Sequence, residues 1–200
     1  MNLQIKALSP STWEDFASLA QRHHGVWGGC WCVWFHQSDM VKRGDAAFNK
    51  ELKRTLVMNG RAHAALVYDG DTAVAWCQFG TPEELPHIYH KKEVETDGYQ
   101  RPDYRITCLF VDKEYRGKGV AKAAVLGALD LIGKAGGGIV ESYPQDMKGT
   151  KTSGSFLYNG TLSLFRECGF ELAGAKGKNH TIMRKSVAAD SLPPKGSVKS

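Results

Sequence analysis

The spacing of apolar residues along this chain changes period repeatedly, and each change marks an element. "LQIKAL" near the start alternates and predicts a short strand; Ser11, with Glu14 three residues on, then predicts a capped helix to about Arg22. Within residues 44–60, Ala46, Ala47, Leu52, Leu56 and Val57 recur at roughly helical intervals, and Asn59-Gly60 supplies a stop. "RAHAALVYDGDTAVAWCQFG" reads as two strands joined at Asp69-Gly70, a hairpin. Residues 81–103 carry three prolines and little periodicity, and predict a polar connection. "YRITCLFV" is almost continuously apolar, the pattern of a strand covered on both faces.

After it, Ala121, Ala124, Val125, Ala128, Leu129 and Ile132 fall on one face of a helix that "KAGGG" closes. "GIVESYP" predicts a strand and "MKGTKTSGS" a flexible loop. "YNGTLSLFRECGF" predicts a short helix ending at Gly169, and "FELAG" with "HTIMRKSV" a final strand pair. The order is that of one mixed α/β domain, residues 1–187. Residues 188–200 have the composition of a disordered tail.

Composition narrows the class. Two hundred residues, 42% hydrophobic and 24% charged, suit one soluble globular domain with a sizeable core. No apolar run approaches the ~20 residues that span a bilayer, so no membrane partner is expected. The first residues lack the apolar segment of a secretory signal. The net charge of +5 is spread along the chain; it suits an anionic ligand but forms no basic stripe of the kind nucleic acid requires. The five cysteines are odd in number and three sit in apolar patterns, which argues against a disulfide scaffold and for a reducing cytoplasm.

The chemistry concentrates at "LFVDKEYRGKGVAKAAV", residues 109–125. A strand that turns into a helix through Gly117 and Gly119 aims free backbone N–H groups at one spot. The helix dipole, Arg116, Lys118 and Lys122 add positive charge there, which makes a site for a phosphate or pyrophosphate. Two common phosphate loops are excluded. Lys122 stands where a dinucleotide fingerprint needs its third glycine, and Gly119 follows Gly117-Lys118 where a P-loop needs Ser or Thr.

Arg116-Gly117-Lys118-Gly119-Val120-Ala121 resembles the coenzyme A loop of the GNAT acetyltransferase superfamily, Gln/Arg-x-x-Gly-x-Gly/Ala after an apolar strand. "LFRECGF" resembles the family's second element, L-Y-x-x-x-G-F. With the hairpin upstream and the strand pair downstream, the likeness covers roughly residues 3 to 187. It implies the GNAT fold: a central, mostly antiparallel twisted sheet, splayed in the middle and flanked by helices. It also implies acetyl-CoA as donor, with its pyrophosphate on residues 116–122. The pantetheine arm would run along strand 105–111, and amides near Leu109, Phe110 and Val111 would face the thioester carbonyl. An amine, most readily that of a small molecule, would attack directly. Family members often dimerise, so the resemblance leaves a homodimer open, while no seam is visible in the chain itself.

The resemblance breaks at one position: Phe165 stands where the family's thiolate-protonating tyrosine belongs. Tyr158, or Ser163, is the replacement acid, and Glu141 is the expected base, with Glu83, Glu84 and His87 as rivals. Trp27, Trp31 and Trp34 in "VWGGCWCVWFH" recur at i, i+4 and i+7, one face if the segment is helical; they read either as core or, as the resemblance implies, as a wall of the acceptor pocket. Two alternatives remain open. One is a non-catalytic acyl-CoA-binding protein of the same fold. The other is a zinc module on Cys30 and Cys32 with His23, His24 and His36, although C-x-C departs from the usual spacing.

Overall fold

The computed structural model describes residues 1–36, 41–42, 44–95, 98–146, 157–177 and 179–190. The loop expected at 147–155 and the tail from 191 onward lie outside the described residues. Seven strands, β1 Leu3–Ala7, β2 His63–Asp69, β3 Thr72–Gly80, β4 Tyr104–Val111, β5 Gly138–Ser142, β6 Glu171–Lys176 and β7 His180–Val187, form one sheet in the order β1-β2-β3-β4-β5-β7-β6. The helices are α1 Trp13–Arg22, α2 Ala46–Met58, α3 Lys91–Val94, α4 Val120–Lys134 and α5 Leu162–Glu167.

Every strand pair is antiparallel except β4 with β5. That parallel pair holds for only three residues, Tyr104↔Val140, Arg105↔Glu141 and Ile106↔Ser142, and then the strands part. On the other edge of β4 the register slips at the same level: Gln78 faces Cys108 while Phe79 faces Ile106, so Thr107 is the extra residue of a β-bulge. A bulge bends its strand and raises the local twist, which turns the rest of β4 away from β5. The splay expected of the fold therefore begins at Thr107.

Alternation along the central strands sends side chains to two cores, as a pleated strand must. Leu66, Tyr68, Trp76 and Phe110 pack with Trp13, Phe16 and Leu19 of α1 on one face. Val67, Ala75, Cys77 and Leu109 pack with Val125, Ala128 and Ile132 of α4 and Phe165 of α5 on the other. Covering both faces explains the unbroken apolar run of β4.

Several local expectations are corrected. Helix entry before α1 is capped by Ser9, whose N–H donates to Thr12 Oγ1 (2.9 Å), with Pro10 next; Ser11 lies inside the single 3₁₀ turn that follows. In the hairpin, Asp69 pairs with Thr72, so the two turn residues are Gly70 and Asp71. The connection at 81–103 is not wholly polar, since Leu85, Ile88 and Val94 are buried beneath it. Cys32 and Cys108 form a disulfide, against the expectation of unpaired thiols, while Cys30, Cys77 and Cys168 are free.

Candidate active site

The turn from β4 to α4 is built as its sequence predicts. Asp112 caps a short 3₁₀ turn by accepting from the Glu114 N–H (3.2 Å), and the chain reaches α4 through Gly117 (φ 72°) and Gly119 (φ 79°). A Cβ at either glycine would meet no atom within 4 Å, so glycine is needed there for its backbone angle and leaves the approach open. Gly119 caps the 15-residue helix α4, whose first N–H groups and dipole face that opening. These donors fit a pyrophosphate. Arg116 Nε folds back to donate to the Val111 carbonyl (3.1 Å), Lys122 pairs with Glu167 (3.4 Å), and Lys118 lies over the Tyr115 ring.

From the turn a cavity of about 380 Å³ follows β4 past Leu109, Phe110 and Val111, with Arg116 and Ala121 at its mouth. Gly160, Thr161 and Leu164 form the far wall, and His23, Val26 and Trp27 close it from the α1 side. One backbone donor in this cleft is already used: the Leu109 N–H donates to the Tyr158 carbonyl (2.7 Å). The segment before α5 thus fills the gap that β5 leaves, and the expected oxyanion donor at Leu109 is engaged in this arrangement.

A second cavity of about 230 Å³ lies on the other side of Trp27. Its walls are Trp27, Trp34, Phe35, Tyr89 and Tyr158, with Cys30 and the Cys32–Cys108 bridge at one side. Trp34 stacks on Tyr89 (centroids 4.0 Å apart, 9° between planes), and Trp27 stands edge-on to both Tyr158 (6.1 Å) and Phe110 (5.8 Å). Trp27 is therefore the partition between the two cavities. Burial, then the nearby Tyr89 hydroxyl, pushes the Tyr158 phenol up to about 12, so it keeps its proton at neutral pH.

The segment that supplies these walls is not helical. His24, Val26, Trp27, Trp31 and Cys32 all have φ between 40° and 55°, alongside Gly25, Gly28 and Gly29. Left-handed backbone at non-glycine residues, above all a β-branched one, is strained and collects at functional sites. At Gly25 a side chain would collide with the Trp31 indole. Because the chain winds this way, the tryptophans do not share a face. Trp31 turns inward, stacked on Trp13 (6.4 Å) and against Phe16, and is core; Trp27 and Trp34 line the cavities.

Glu141, the expected base, sits elsewhere. It is fully buried in the sheet, where Oε1 accepts from Tyr99 (2.7 Å) and Tyr143 (2.6 Å) and Oε2 from Arg184 Nε (2.8 Å). Both oxygens are committed to structure, and neither cavity includes the residue. Its rivals are also engaged away from the cavities: Glu83 with Arg101 (2.6 Å), Glu84 with His63 (3.1 Å) and the Thr81 N–H (2.9 Å). His87 meets the Trp34 ring at 6.3 Å, outside both linings. Phe165 is fully buried against Phe170 (5.0 Å); Ser163 is exposed, bonds Thr161 (3.1 Å) and lines neither cavity. The zinc reading fails on the sulfur of Cys32, which is bound to Cys108, and the described residues hold no cluster able to ligate a metal. A residue that sequence reasoning considered only for zinc, His23, instead faces the first cavity with Asp112 behind it (3.0 Å).

A sheet splayed at a bulge, with the free N–H groups of a helix start at the mouth of the gap, has the architecture of an acyl-CoA transferase. The sequence model of the Acetyltransferase (GNAT) family matches residues 16–143, and the chain belongs to that family. It is an acyltransferase, with acetyl-CoA as donor. The fold is shared with a histone acetyltransferase HPA2 and related acetyltransferase from Corynebacterium glutamicum (TM-score 0.55, 13% identity, covering 96% of this chain and 100% of that one). It is shared too with the PaiA N-acetyltransferase of Thermoplasma acidophilum in complex with coenzyme A (0.51, 17%, 93% and 99%). The GNAT family N-acetyltransferase YhbS of Escherichia coli, also in complex with CoA, aligns with a TM-score of 0.51 at 18% identity over 93% and 82%. No curated protein matches the sequence. No helix among the described residues is long and apolar enough to cross a membrane.

Proposed function

We propose that this protein acetylates a primary amine of a small molecule, with donor and acceptor entering by different cavities that meet at Trp27. The observation that carries the reading is this pair of cavities: one opens on the glycine turn and the start of α4, the other is walled by aromatic rings. Arg116 and the N–H groups at residues 117–121 hold the pyrophosphate, with Lys118 and Lys122 adding charge. Leu109, Phe110 and Val111 line the path of the pantetheine arm. Bound there, acetyl-CoA supplies an activated thioester carbonyl. Trp27 and Trp34, with Phe35 and Tyr89, exclude water from the acceptor and favour a flat or cationic group against their faces. Tyr158 borders the acceptor cavity and holds a proton on its hydroxyl for the leaving sulfur. A pocket of this size, enclosed by rings, supports a small acceptor over a protein lysine.

The test is isothermal titration of acetyl-CoA into the full chain and into an Arg116→Glu, Gly119→Glu double variant. The expected result is micromolar binding that the variant loses, followed by thiol release when primary amines are added to the unaltered protein. An intact protein that binds no acetyl-CoA refutes the reading.

A further inference from the structure

Resting on that reading, we infer that His23, with Asp112 behind it, takes the proton from the attacking amine. An acceptor ammonium has no lone pair until a base removes a proton, and the glutamates first considered are all committed elsewhere. His23 is the residue that closes α1: its N–H bonds the Ala20 carbonyl (3.1 Å), which fixes the backbone beneath the ring. The ring packs over Phe110 (centroids 4.9 Å) in the wall of the first cavity, beside Trp27, where the two cavities meet. Its side chain is 20% exposed, enough to meet a ligand in that cavity, while Asp112 is 13% exposed.

The pair is held from two elements. Nε2 of His23 lies 3.0 Å from Asp112 Oδ2 at the end of β4, and Arg22 of α1 approaches the same carboxylate (3.9 Å) while donating to the Ala73 carbonyl (2.9 Å). Burial alone would push the Asp112 carboxyl up, but His23, the Glu114 N–H and Arg22 outweigh it and hold the group below its usual range. Asp112 is therefore a carboxylate wherever the enzyme works, and is placed to balance the imidazolium that forms. Nε2 is buried against Asp112 in a charge contact outside hydrogen-bond geometry, so Nδ1 is the nitrogen left to meet a ligand. The proton passes from the amine to Nδ1, the amine lone pair forms the C–N bond, and the C–S bond breaks. The nitrogen, now bonded to the acyl carbon, gives up its second proton to water; the sulfur leaves with its electron pair and takes a proton from water or from Tyr158, which water then re-protonates, and the imidazolium returns its proton to solvent. The charged groups that face the ring are Asp112 and Arg22, with Arg116 in the same cavity wall.

Two readouts test this. The first needs no acceptor: long-range ¹⁵N–¹H spectra of the unaltered protein, followed over pH until the His23 ring holds a single proton, should show that proton on Nε2 and Nδ1 bare, with the tautomer redistributed in Asp112→Ala. A ring protonated on Nδ1 overturns the inference. The second is the pH profile of kcat/KM for 2-phenylethylamine in the unaltered protein and in His23→Gln. The expected loss is about a hundredfold near neutral pH, shrinking as the solution pH rises and the amine deprotonates unaided. A loss of the same size at every pH, or one under about threefold, overturns the inference, because a merely structural histidine behaves in one of those ways. An unaltered protein that binds no acetyl-CoA sinks the transfer reading instead, which the titration above separates from a failure of His23.

Discussion

Lys53 offers the most quantitative test of how the site is held. The residue is 1% exposed between α2 and the sheet, its ammonium donating to Gln78 Oε1 (2.5 Å) and lying 3.2 Å from His36 Nε2. Gln78 donates on to Thr107 Oγ1 (3.1 Å), the bulge residue at which the sheet splays, and His36 Nδ1 meets the Glu84 carbonyl (2.8 Å). Desolvation, opposed weakly by Cys30, brings the Lys53 pKa from 10.5 to about 7. In the unfolded chain Lys53 keeps its proton up to its ordinary pKa. Between the two values the unfolded state therefore binds one more proton than the folded state, and stability rises with pH. Below about pH 7 both states are protonated and this contribution is at its minimum. The slope is about 1.4 kcal/mol per pH unit, which integrates to about 3 kcal/mol between about pH 7 and about pH 9.5. Lys53→Met keeps the length of the side chain, removes the titration and leaves Gln78 Oε1 without its donor, a pH-independent loss of about 1–3 kcal/mol. Urea unfolding of both proteins across this range should show the unaltered protein gaining about 3 kcal/mol on the variant as pH rises. Burial also pushes His36 well below the ordinary imidazole range, but its linkage falls below neutral pH and does not enter this window. A stability difference that is flat with pH would refute a buried, partly neutral Lys53.

Two further outcomes separate structure from chemistry. Glu141→Gln should destabilise the fold by about 2–4 kcal/mol in urea, because Arg184 loses its counter-charge in the sheet; lost turnover at unchanged stability would return Glu141 to the reaction. Tyr158→Phe should lower kcat at least about tenfold with the KM for acetyl-CoA retained, and the loss should be smaller for thioesters of more acidic thiols. An unchanged kcat would mean that the leaving sulfur needs no acid from this residue.

What could be read along the chain was whatever depends on neighbours in sequence. The bulk of each strand, and of every helix but α3, follows from apolar period and turn residues, and the glycine turn lies within six consecutive positions, Arg116 to Ala121. Its backbone angles and its helix dipole are local properties, so the residues alone announce them. The tryptophan spacing misled because helical periodicity implies one face only if the backbone is helical, and glycine-rich left-handed turns send Trp31 inward and Trp27 outward. Glu141 looked available because two of its partners, Tyr99 and Arg184, come from distant stretches that meet it only in the folded sheet, where Tyr143, two residues along, joins them. The pairings His23 with Asp112 and Cys32 with Cys108 likewise join α1 and its following turns to β4 across long stretches of chain. Such contacts are set by packing α1 against a sheet whose order runs β1-β2-β3-β4, and no spacing in one segment encodes where another will land.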